Sequence, residues 1–430
     1  MKNNKGITLV ALVVTIVVLL ILAGVSINLV LGNNGTIAKA KDAETKSAEA
    51  SQNDLKGMNG LVSEMEGALA GNGSTGSGSG NGGAGGSGTD TKVPAEATTE
   101  TAPYFPDNTF TKKEGTIDTG LVIQDASGNE YVWVVVPRTT AVYKTTGLEK
   151  TTFTDADYTS IEKDLKDYTS TYVTRSGCSD TYVADDKNIG WFADATAYNN
   201  LKNSMLKSVY ENGGFYVGRY EAGIDTTTGK NRTSNTDKNS EGKYITPSTA
   251  PVTKADAYPY TYVTRTQAQN LASNVNLGTK TSSLMFGVQW DLVLAFMHNK
   301  GNIEDSTLTS NSKTIGNYSD NLWTIKNAKA QYSSNSGSTF NACPNPFKKE
   351  SYSNILLTTG ADSSFSVQNI YDIAGNVSEW TLEKTSYTSY PCAYRAGAFN
   401  NPGSNPPADY RSLSSTDDSN YDVGFRVSLF

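Results

Sequence analysis

Hydrophobic residues are concentrated in one uninterrupted stretch near the start of the 430-residue chain, and elsewhere they occur in short groups. Residues 7–31 carry no charged side chain and consist largely of Leu, Val and Ile. A helix of this length is about 37 Å long, which is enough to cross the apolar core of a bilayer. The pattern predicts a transmembrane helix that holds the rest of the chain at a membrane.

The sequence after this stretch predicts a second helix, a linker and a large head domain. Apolar residues such as Leu55 and Met58 recur at steps of three and four between residues 36 and 69, which indicates a weakly amphipathic helix. Residues 70–103 are rich in Gly and Ser and cannot bury a core, so they predict a flexible linker. Residues 104–430 then form the head domain.

Within the head domain, short apolar groups predict strands at 130–136, 214–220 and 424–430. Apolar residues at helical spacing predict helices at 264–274 and 286–298. Long stretches between these elements have no regular period, and no unit of 20–50 residues repeats. The predicted fold class is therefore α+β, with small antiparallel sheets and extensive ordered loops.

Charge and reactive residues narrow the range of functions. The net charge is −7, which argues against a nucleic-acid partner. A single histidine, His298, cannot build a three-histidine metal site, and Cys178, Cys343 and Cys392 form no CxxC motif. We expect these cysteines to be small buried residues, with a Cys343–Cys392 disulfide as an open alternative.

The start of the apolar stretch resembles the cleavage site of type IV prepilins and pseudopilins. Residues 1–6 form a short basic leader that ends in Gly6, and Ile7 would begin the mature chain. The resemblance implies a prepilin peptidase and possible pilus subunits as partners, with the head outside the cell. Ala11 stands where pilins usually carry the Glu that pairs with a neighbouring terminal amine. A tip or minor pilin and a plain membrane anchor both remain open.

A second resemblance begins with residues 371–380, Tyr-Asp-Ile-Ala-Gly-Asn-Val-Ser-Glu-Trp. This run is similar to the signature of the formylglycine-generating-enzyme (sulfatase-modifying factor) family, whose fold is that of C-type lectins. Further segments resemble that family in its own order, at 131–137, 218–222, 286–291, 394–399 and 422–427. The resemblance covers about residues 120–430 and implies a C-type-lectin-like domain.

The resemblance has two consequences for chemistry. Asn401 and Pro406 stand where the family's oxidase has its copper-binding cysteines, so we expect no enzyme activity and no catalytic residues. A formylglycine-generating-type oxidase stays as an alternative because the fold hosts one. The family also implies a Ca²⁺ site from Asn376, the Val377 carbonyl and Glu379. The alternative is that Glu379 makes an ion pair or hydrogen bond inside the core.

Residues 400–422 are almost entirely Asn, Ser, Asp, Tyr and Pro, which make adaptable contacts. They resemble the variable region that diversity-generating retroelements alter in proteins of this fold, although turn-rich loops have a similar composition. We expect the segments 394–399 and 423–430 to pair antiparallel and project this loop. The candidate ligand-binding residues are Asn400, Asn401, Ser404, Asn405, Asp409, Tyr410, Ser412, Ser414, Asp417, Asn420 and Tyr421.

These observations predict a surface protein of the bacterial cell envelope whose lectin-like head binds an extracellular protein or glycan, as an adhesin or receptor does. The oxidase is one alternative. A structural minor pilin is the other, although a large tethered head does not favour close helical packing.

The leader generates the first testable prediction. A prepilin peptidase should cleave between Gly6 and Ile7, leaving Ile7 as the N-terminus of the envelope form of the protein. Mass spectrometry of envelope fractions measures this directly. Recovery of intact Met1 from the envelope would leave only the plain anchor.

Overall fold

The computed structural model describes residues 105–106, 109–173, 177–275 and 280–430. Four predicted elements lie outside the described residues: the leader 1–6, the apolar helix 7–31, the amphipathic helix 36–69 and the linker 70–103. Among the residues that are described, no helix combines the length and apolar character needed to span a bilayer.

The described chain combines α-helices, which all lie before residue 310, with small, mainly antiparallel sheets. Its α-helices, α1 to α5, are Asp155–Tyr168, Ala195–Asn212, Arg265–Ser273, Gly287–Gly301 and Asp305–Thr309. Its 3₁₀ turns are Ser170–Tyr172, Lys313–Ile315 and Ser363–Phe365. The strands β1 to β10 are Thr111–Glu114, Val122–Gln124, Glu130–Val135, Cys178–Ser179, Gly214–Gly218, Gly223–Ile224, Tyr258–Pro259, Ser282–Leu284, Trp323–Ile325 and Gln331–Ser333. The strands β11 to β20 are Asn341–Ala342, Phe347–Lys349, Leu356–Leu357, Ser366–Val367, Ile370–Tyr371, Ser378–Thr385, Cys392–Arg395, Arg411–Ser414, Val423–Phe425 and Val427–Leu429.

The helices predicted at 264–274 and 286–298 are confirmed as α3 and α4. Helix α3 begins with a capping box, in which the Thr264 hydroxyl accepts from the Gln267 amide and the Gln267 side chain accepts from the Thr264 amide. The sequence analysis missed α1 and α2. Helix α1 is largely polar, and its few buried apolar residues, Ile161 and Leu165, give only a weak helical period. In α2 the buried Met205, Leu206 and Val209 do follow the helical period, so its sequence carried a signal that was not used.

The larger sheet has the strand order β1-β2-β3-β5-β20-β8, and its paired strands are antiparallel. All six residues of β3 are buried, which explains why this strand appears in the sequence as a continuous apolar run. The predicted strands at 130–136 and 214–220 are confirmed as β3 and β5. The predicted terminal strand is two strands, β19 and β20, which belong to different sheets.

The second sheet has the order β18-β17-β16-β19, and β4 pairs with the far end of β16. The predicted antiparallel pairing of 394–399 with 423–430 is wrong. Strand β16 lies between β17 and β19, and β19 runs parallel to it. Trp380, in the centre of β16, is opposite Tyr394 on one side and Phe425 on the other. A long buried strand therefore takes the central place. The remaining pairs are β10 with β11 and β13, β9 with β12, β14 with β15, and β6 with β7.

Buried side chains of the core hold irregular backbone in place. The indole of Trp290 donates to the Ala408 carbonyl at 3.0 Å, and that of Trp380 donates to the Val263 carbonyl at 2.9 Å. Arg426, which separates β19 from β20, donates to the Gly218 and Tyr371 carbonyls. The indole bonds satisfy carbonyls of loop residues, and the Arg426 bonds reach carbonyls at the ends of two short strands.

A group of buried carboxylates surrounds Arg426. The guanidinium pairs with Glu379 at 2.6 Å. Glu221 accepts hydrogen bonds from the Asn376 side chain and the Val377 amide. Asp372 accepts one from the Gly360 amide at 2.9 Å. Burial raises the pKa of Asp372 to about 7, because the Gly360 amide and Arg426 only partly offset the desolvation.

This pKa predicts a pH dependence of stability. Asp372 titrates near its ordinary value of 3.8 in the unfolded chain but at about 7 in the fold. Its contribution to the free energy of unfolding is therefore full below about pH 4 and is lost as the pH rises through about 7. Urea unfolding of the full chain at pH values across this window should show stability falling with pH, and Asp372→Asn should reduce that slope. Asp186→Asn, at a carboxylate that is 85% exposed, is the control and should leave the slope unchanged. A slope in Asp372→Asn equal to the wild-type slope would contradict the assignment.

Candidate functional site

The predicted binding segment 400–422 is not one continuous loop. A first part runs from Asn400 to Tyr410, strand β18 follows at Arg411–Ser414, and a turn leads on to Asp422. Tyr394 of β17 lies directly opposite Ser412 of β18. The candidate residues Ser412 and Ser414 therefore occupy an ordered sheet.

The first part of the segment is fixed to the chain between residues 307 and 320. Its carbonyls accept from Ser312 and Ser319, and its amides donate to groups of Leu308, Ser312 and Asp320. This anchoring buries Asp409 completely, and Ser414 is also buried, with its hydroxyl bonded to Asp418. Both positions are corrections to the predicted ligand-contacting set, because neither side chain reaches the surface.

A buried ring of four charged side chains lies beneath the segment. Arg395, at the end of β17, binds Asp291 at 2.6 Å and Glu383 at 3.2 Å. Arg411, opposite it at the start of β18, binds the same two carboxylates, both at 2.6 Å. All four side chains are at most 4% exposed. We call this group the charge ring.

The charge ring joins elements that are far apart in the sequence. Asp291 comes from helix α4 and Glu383 from strand β16. A Cβ atom on Gly287, the first residue of α4, would lie 2.3 Å from the Glu383 carboxylate, so only glycine allows this close approach. Burial acts to raise the pKa of Glu383, but the guanidiniums of Arg411 and Arg395 outweigh it and lower that pKa to about 2. Glu383 thus stays ionised at neutral pH.

The two arginines also hold the ends of the intervening loop. Arg395 donates to the Asp409 carbonyl at 3.1 Å, and Arg411 donates to the Tyr172 carbonyl at 2.9 Å. The chain that leaves β17 at Arg395 and returns to β18 at Arg411 is therefore fixed at both ends by the same ring. The backbone between Arg395 and Arg411, which forms part of the protein surface, is therefore held in one conformation.

That surface carries four half-buried tyrosines from three segments of the chain: Tyr262, Tyr394, Tyr410 and Tyr421. We call these residues the tyrosine face. The Tyr394 ring packs edge-on against Trp380 at 5.4 Å, and the Tyr421 ring lies 6.1 Å from that of Phe399. The Tyr262 amide donates to the Asn420 carbonyl at 3.0 Å.

Backbone contacts place the four tyrosines near one another: Tyr394 is opposite Ser412, the Ala396 amide donates to the Tyr410 carbonyl, and Tyr262 is bonded to the residue before Tyr421. Burial raises the pKa of Tyr394, a hydrogen bond with Ser412 opposes this, and the charges of Asp422 and Asp418 and the nearby Tyr410 add to it. Burial likewise raises the pKa of Tyr262, with Tyr421 and Asp422 adding to the effect. Asp422 lies beside Tyr421, because both accept from the Asn400 side chain, and Asp418 lies beside Ser414 at the end of β18.

The two ends of the segment meet beside this face. The Asn400 side chain donates to the Tyr421 hydroxyl at 3.3 Å and to the Asp422 carboxylate at 2.9 Å. The two ends of the segment are thus close together, as predicted. Side-chain hydrogen bonds hold them there, whereas the prediction assigned this role to a pair of strands. Of the predicted residues, the structure brings together Asn400, Tyr410, Ser412, Asn420 and Tyr421.

The other predicted residues lie apart from this group. Asn401 accepts from the Ala398 amide and so supports the loop. Ser404, Asn405 and Asp417 are exposed, and within the described residues no hydrogen bond joins them to the tyrosine face. Sequence reasoning missed Tyr262 and Tyr394. Tyr394 could have been suggested by its place in a strand beside the segment, whereas nothing local marks Tyr262.

The residues proposed for calcium do not form a calcium site as they are arranged. The Glu379 carboxylate is paired with Arg426, which is the alternative that the sequence left open. Both ends of the Asn376 amide are used, because its oxygen accepts from Asn317 and the Leu357 amide while its nitrogen donates to Glu221. The Val377 amide also donates to Glu221. Elsewhere in the described part of the chain, no three His, Cys, Asp or Glu side chains are placed to hold a metal ion.

The surroundings of the cysteines and of the histidine give no sign of a reactive site within the described residues. Cys178, Cys343 and Cys392 are free thiols, so the Cys343–Cys392 disulfide is absent. Burial raises the pKa of both Cys343 and Cys392 to about 11, which opposes formation of a thiolate. His298 lies near the end of α4, with its Nδ1 atom 2.9 Å from the Ile303 carbonyl oxygen.

Comparisons with known proteins add little to this description. No protein-family model matches the chain, and no curated protein matches it significantly. Among solved structures, the chain is similar to Treponema denticola variable protein 1, with 16% identity, coverage of 50% of this chain and 84% of the other, and a TM-score of 0.26. It is also similar to CarF, with 14% identity, coverage of 70% and 85%, and a TM-score of 0.21. Likenesses this distant carry no argument about the function.

The charge ring generates a stability prediction. Arg411→Met should lower the free energy of unfolding by about 3–5 kcal/mol, because it leaves two buried carboxylates with only one guanidinium. Chemical denaturation of the full chain measures this. Lys144→Met removes an exposed cation and should change stability by less than about 0.5 kcal/mol. Equal effects of the two substitutions would show that the ring does not hold the fold.

Proposed function

We propose that this chain is a ligand-binding protein displayed at the bacterial cell surface, and that the tyrosine face contacts the ligand. One observation carries the proposal. Four half-buried tyrosines from three segments of the chain lie close to Asn400 and Asp422, on backbone that the charge ring holds in place. A preformed face of this kind loses little conformational entropy when a partner binds.

The residue types suit recognition. A tyrosine ring supplies a large contact area at the cost of few rotatable bonds, and its hydroxyl can form a hydrogen bond. The Asn, Ser and Asp side chains around the four rings supply adaptable polar contacts. Such a mixture of rigid aromatic anchors and short polar residues is typical of binding loops on a rigid scaffold.

The finer parts of the proposal concern display and variation. We propose that the prepilin-like N-terminus places the head outside the cell, on a membrane anchor or as a minor pilin. We also propose that residues 400–422 are a region of diversification. The intermixing of buried positions such as Asp409 and Arg411 with accessible ones such as Tyr410 and Ser412 is compatible with this, provided that variation falls on the accessible positions.

We propose no catalytic role for the head. The absence of the family's cysteine pair at Asn401 and Pro406 supports this, as do the raised pKa values of the Cys343 and Cys392 thiols. No observation favours the oxidase alternative over binding.

Alanine substitution on the tyrosine face tests the proposal. The full chain is applied to an array of glycans and extracellular proteins, and the affinity for each bound probe is measured for the wild type, Tyr410→Ala and Tyr421→Ala. Each substitution should weaken binding by about 2 kcal/mol, roughly thirtyfold, if the ring is an anchor.

Tyr387→Ala is the matched control for these variants. It removes a tyrosine that is 55% exposed in the turn between β16 and β17, so affinity should not change. If the face variants lose thermal stability while their affinity equals that of the wild type, the two tyrosines support the fold and the proposed face is wrong.

A further inference from the structure

The charges around the tyrosine face restrict what it can bind. Asp417, Asp418 and Asp422 lie within six residues, on the turn that leads from β18 to β19. Within the described residues, none of these carboxylates is paired with a lysine or arginine. Their partners are the hydroxyls of Ser415 and Ser414 and the Asn400 amide.

Two nearby arginines are engaged elsewhere. Arg265, whose charge acts on Cys392 together with those of Asp417 and Asp418, is buried with its guanidinium 4.2 Å from the Trp191 ring and donates to the Glu383 carbonyl. Arg232 donates to the Tyr262 carbonyl, but its guanidinium is paired with Asp237 at 2.7 Å. Burial raises the pKa of Asp422, the hydrogen bond from Asn400 opposes this, and the charge of Asp418 raises the pKa further. The tyrosine face is therefore an aromatic surface with uncompensated negative charge.

Resting on the proposed function, the geometry points to a basic protein segment, rich in Arg and Lys, as the ligand of the tyrosine face. Guanidinium and ammonium groups are attracted to the faces of aromatic rings, most strongly where water is partly excluded. A carboxylate beside the ring adds a charge-assisted hydrogen bond to the same cation. Asp422, which shares the Asn400 side chain with Tyr421, and Asp418, beside Ser414 of β18, place carboxylates next to the rings, so that both interactions are available to one cation-rich ligand.

The outward side of β17 and β18 gives this segment a place to lie. Tyr394 and Ser412 are opposite each other on the two strands and are both half-buried, next to Tyr410. An acidic or neutral ligand would leave the carboxylates uncompensated at the contact. A basic segment neutralises them, so charge complementarity selects it over the other classes of ligand.

The test measures binding of short Gly/Ser peptides that carry several Arg and Lys residues, with matched peptides that carry Glu or only Ser. Of these three peptides, the purified full chain should bind only the basic one, and its affinity should fall as the salt concentration is raised. The double variant Asp418→Asn/Asp422→Asn should weaken this binding about tenfold, since it removes both carboxylates but keeps side chains of the same shape.

Two further variants separate charge from folding. Asp418→Glu keeps the charge and should retain the wild-type affinity, while Glu149→Gln removes an exposed carboxylate before helix α1 and should have no effect. If the basic peptide does not bind, or binds all variants equally, the inference is wrong. If a glycan or neutral protein binds in a manner that depends on Tyr410 and Tyr421 while the basic peptide does not, the tyrosine face stands and only the basic-segment inference fails.

Discussion

Two arginines and two carboxylates, closed into a ring without contact with water, determine where the C-terminal third of this chain lies. Arg395 and Arg411 each bridge Asp291 and Glu383, which ties strands β17 and β18 to helix α4 and strand β16. Burying four charges has a large desolvation cost, and only the mutual pairing offsets it. The net gain in stability over an apolar core is therefore modest. The ring's larger effect is on geometry, because displacing any one of the four side chains would leave a buried charge without its partners.

The same physical device recurs elsewhere in the core. Arg426 pairs with Glu379 and donates to carbonyls of Gly218 and Tyr371, and the indoles of Trp290 and Trp380 donate to loop carbonyls. Long stretches of this domain have no regular secondary structure, so many buried carbonyls lack partners from helices or sheets. The guanidinium of Arg426 and the indoles of Trp290 and Trp380 supply hydrogen-bond donors to such carbonyls. A fold with so much ordered loop depends on buried polar side chains where other folds depend on backbone ladders.

This dependence explains what the sequence could and could not predict. Strands β3 and β5 and helices α3 and α4 were predictable because their apolar residues are continuous or follow the helical period. Helix α1 was not predictable because it buries few apolar side chains, whereas α2 could have been predicted from the spacing of Met205, Leu206 and Val209. The parallel pairing of β16 with β19 and the separation of β19 from β20 depend on Arg426 and Trp380, whose partners are distant in sequence. The segment 400–422 was recognisable by composition, but Tyr262 and Tyr394 join it only through the fold.

The segment also shows how fixed and accessible positions coexist within a few residues. Arg411 and Ser412 are neighbours in β18, so their side chains point to opposite faces of the sheet. Arg411 closes the charge ring, while Ser412 meets Tyr394 on the other face. Asp409 and Tyr410 show a similar division, with one side chain buried and the next half-exposed. Substitutions on the accessible side change the contact surface without breaking a buried ion pair, whereas one on the inner side leaves a buried charge unpaired. The strand period thus separates the part of the segment that can vary from the part that keeps it in place.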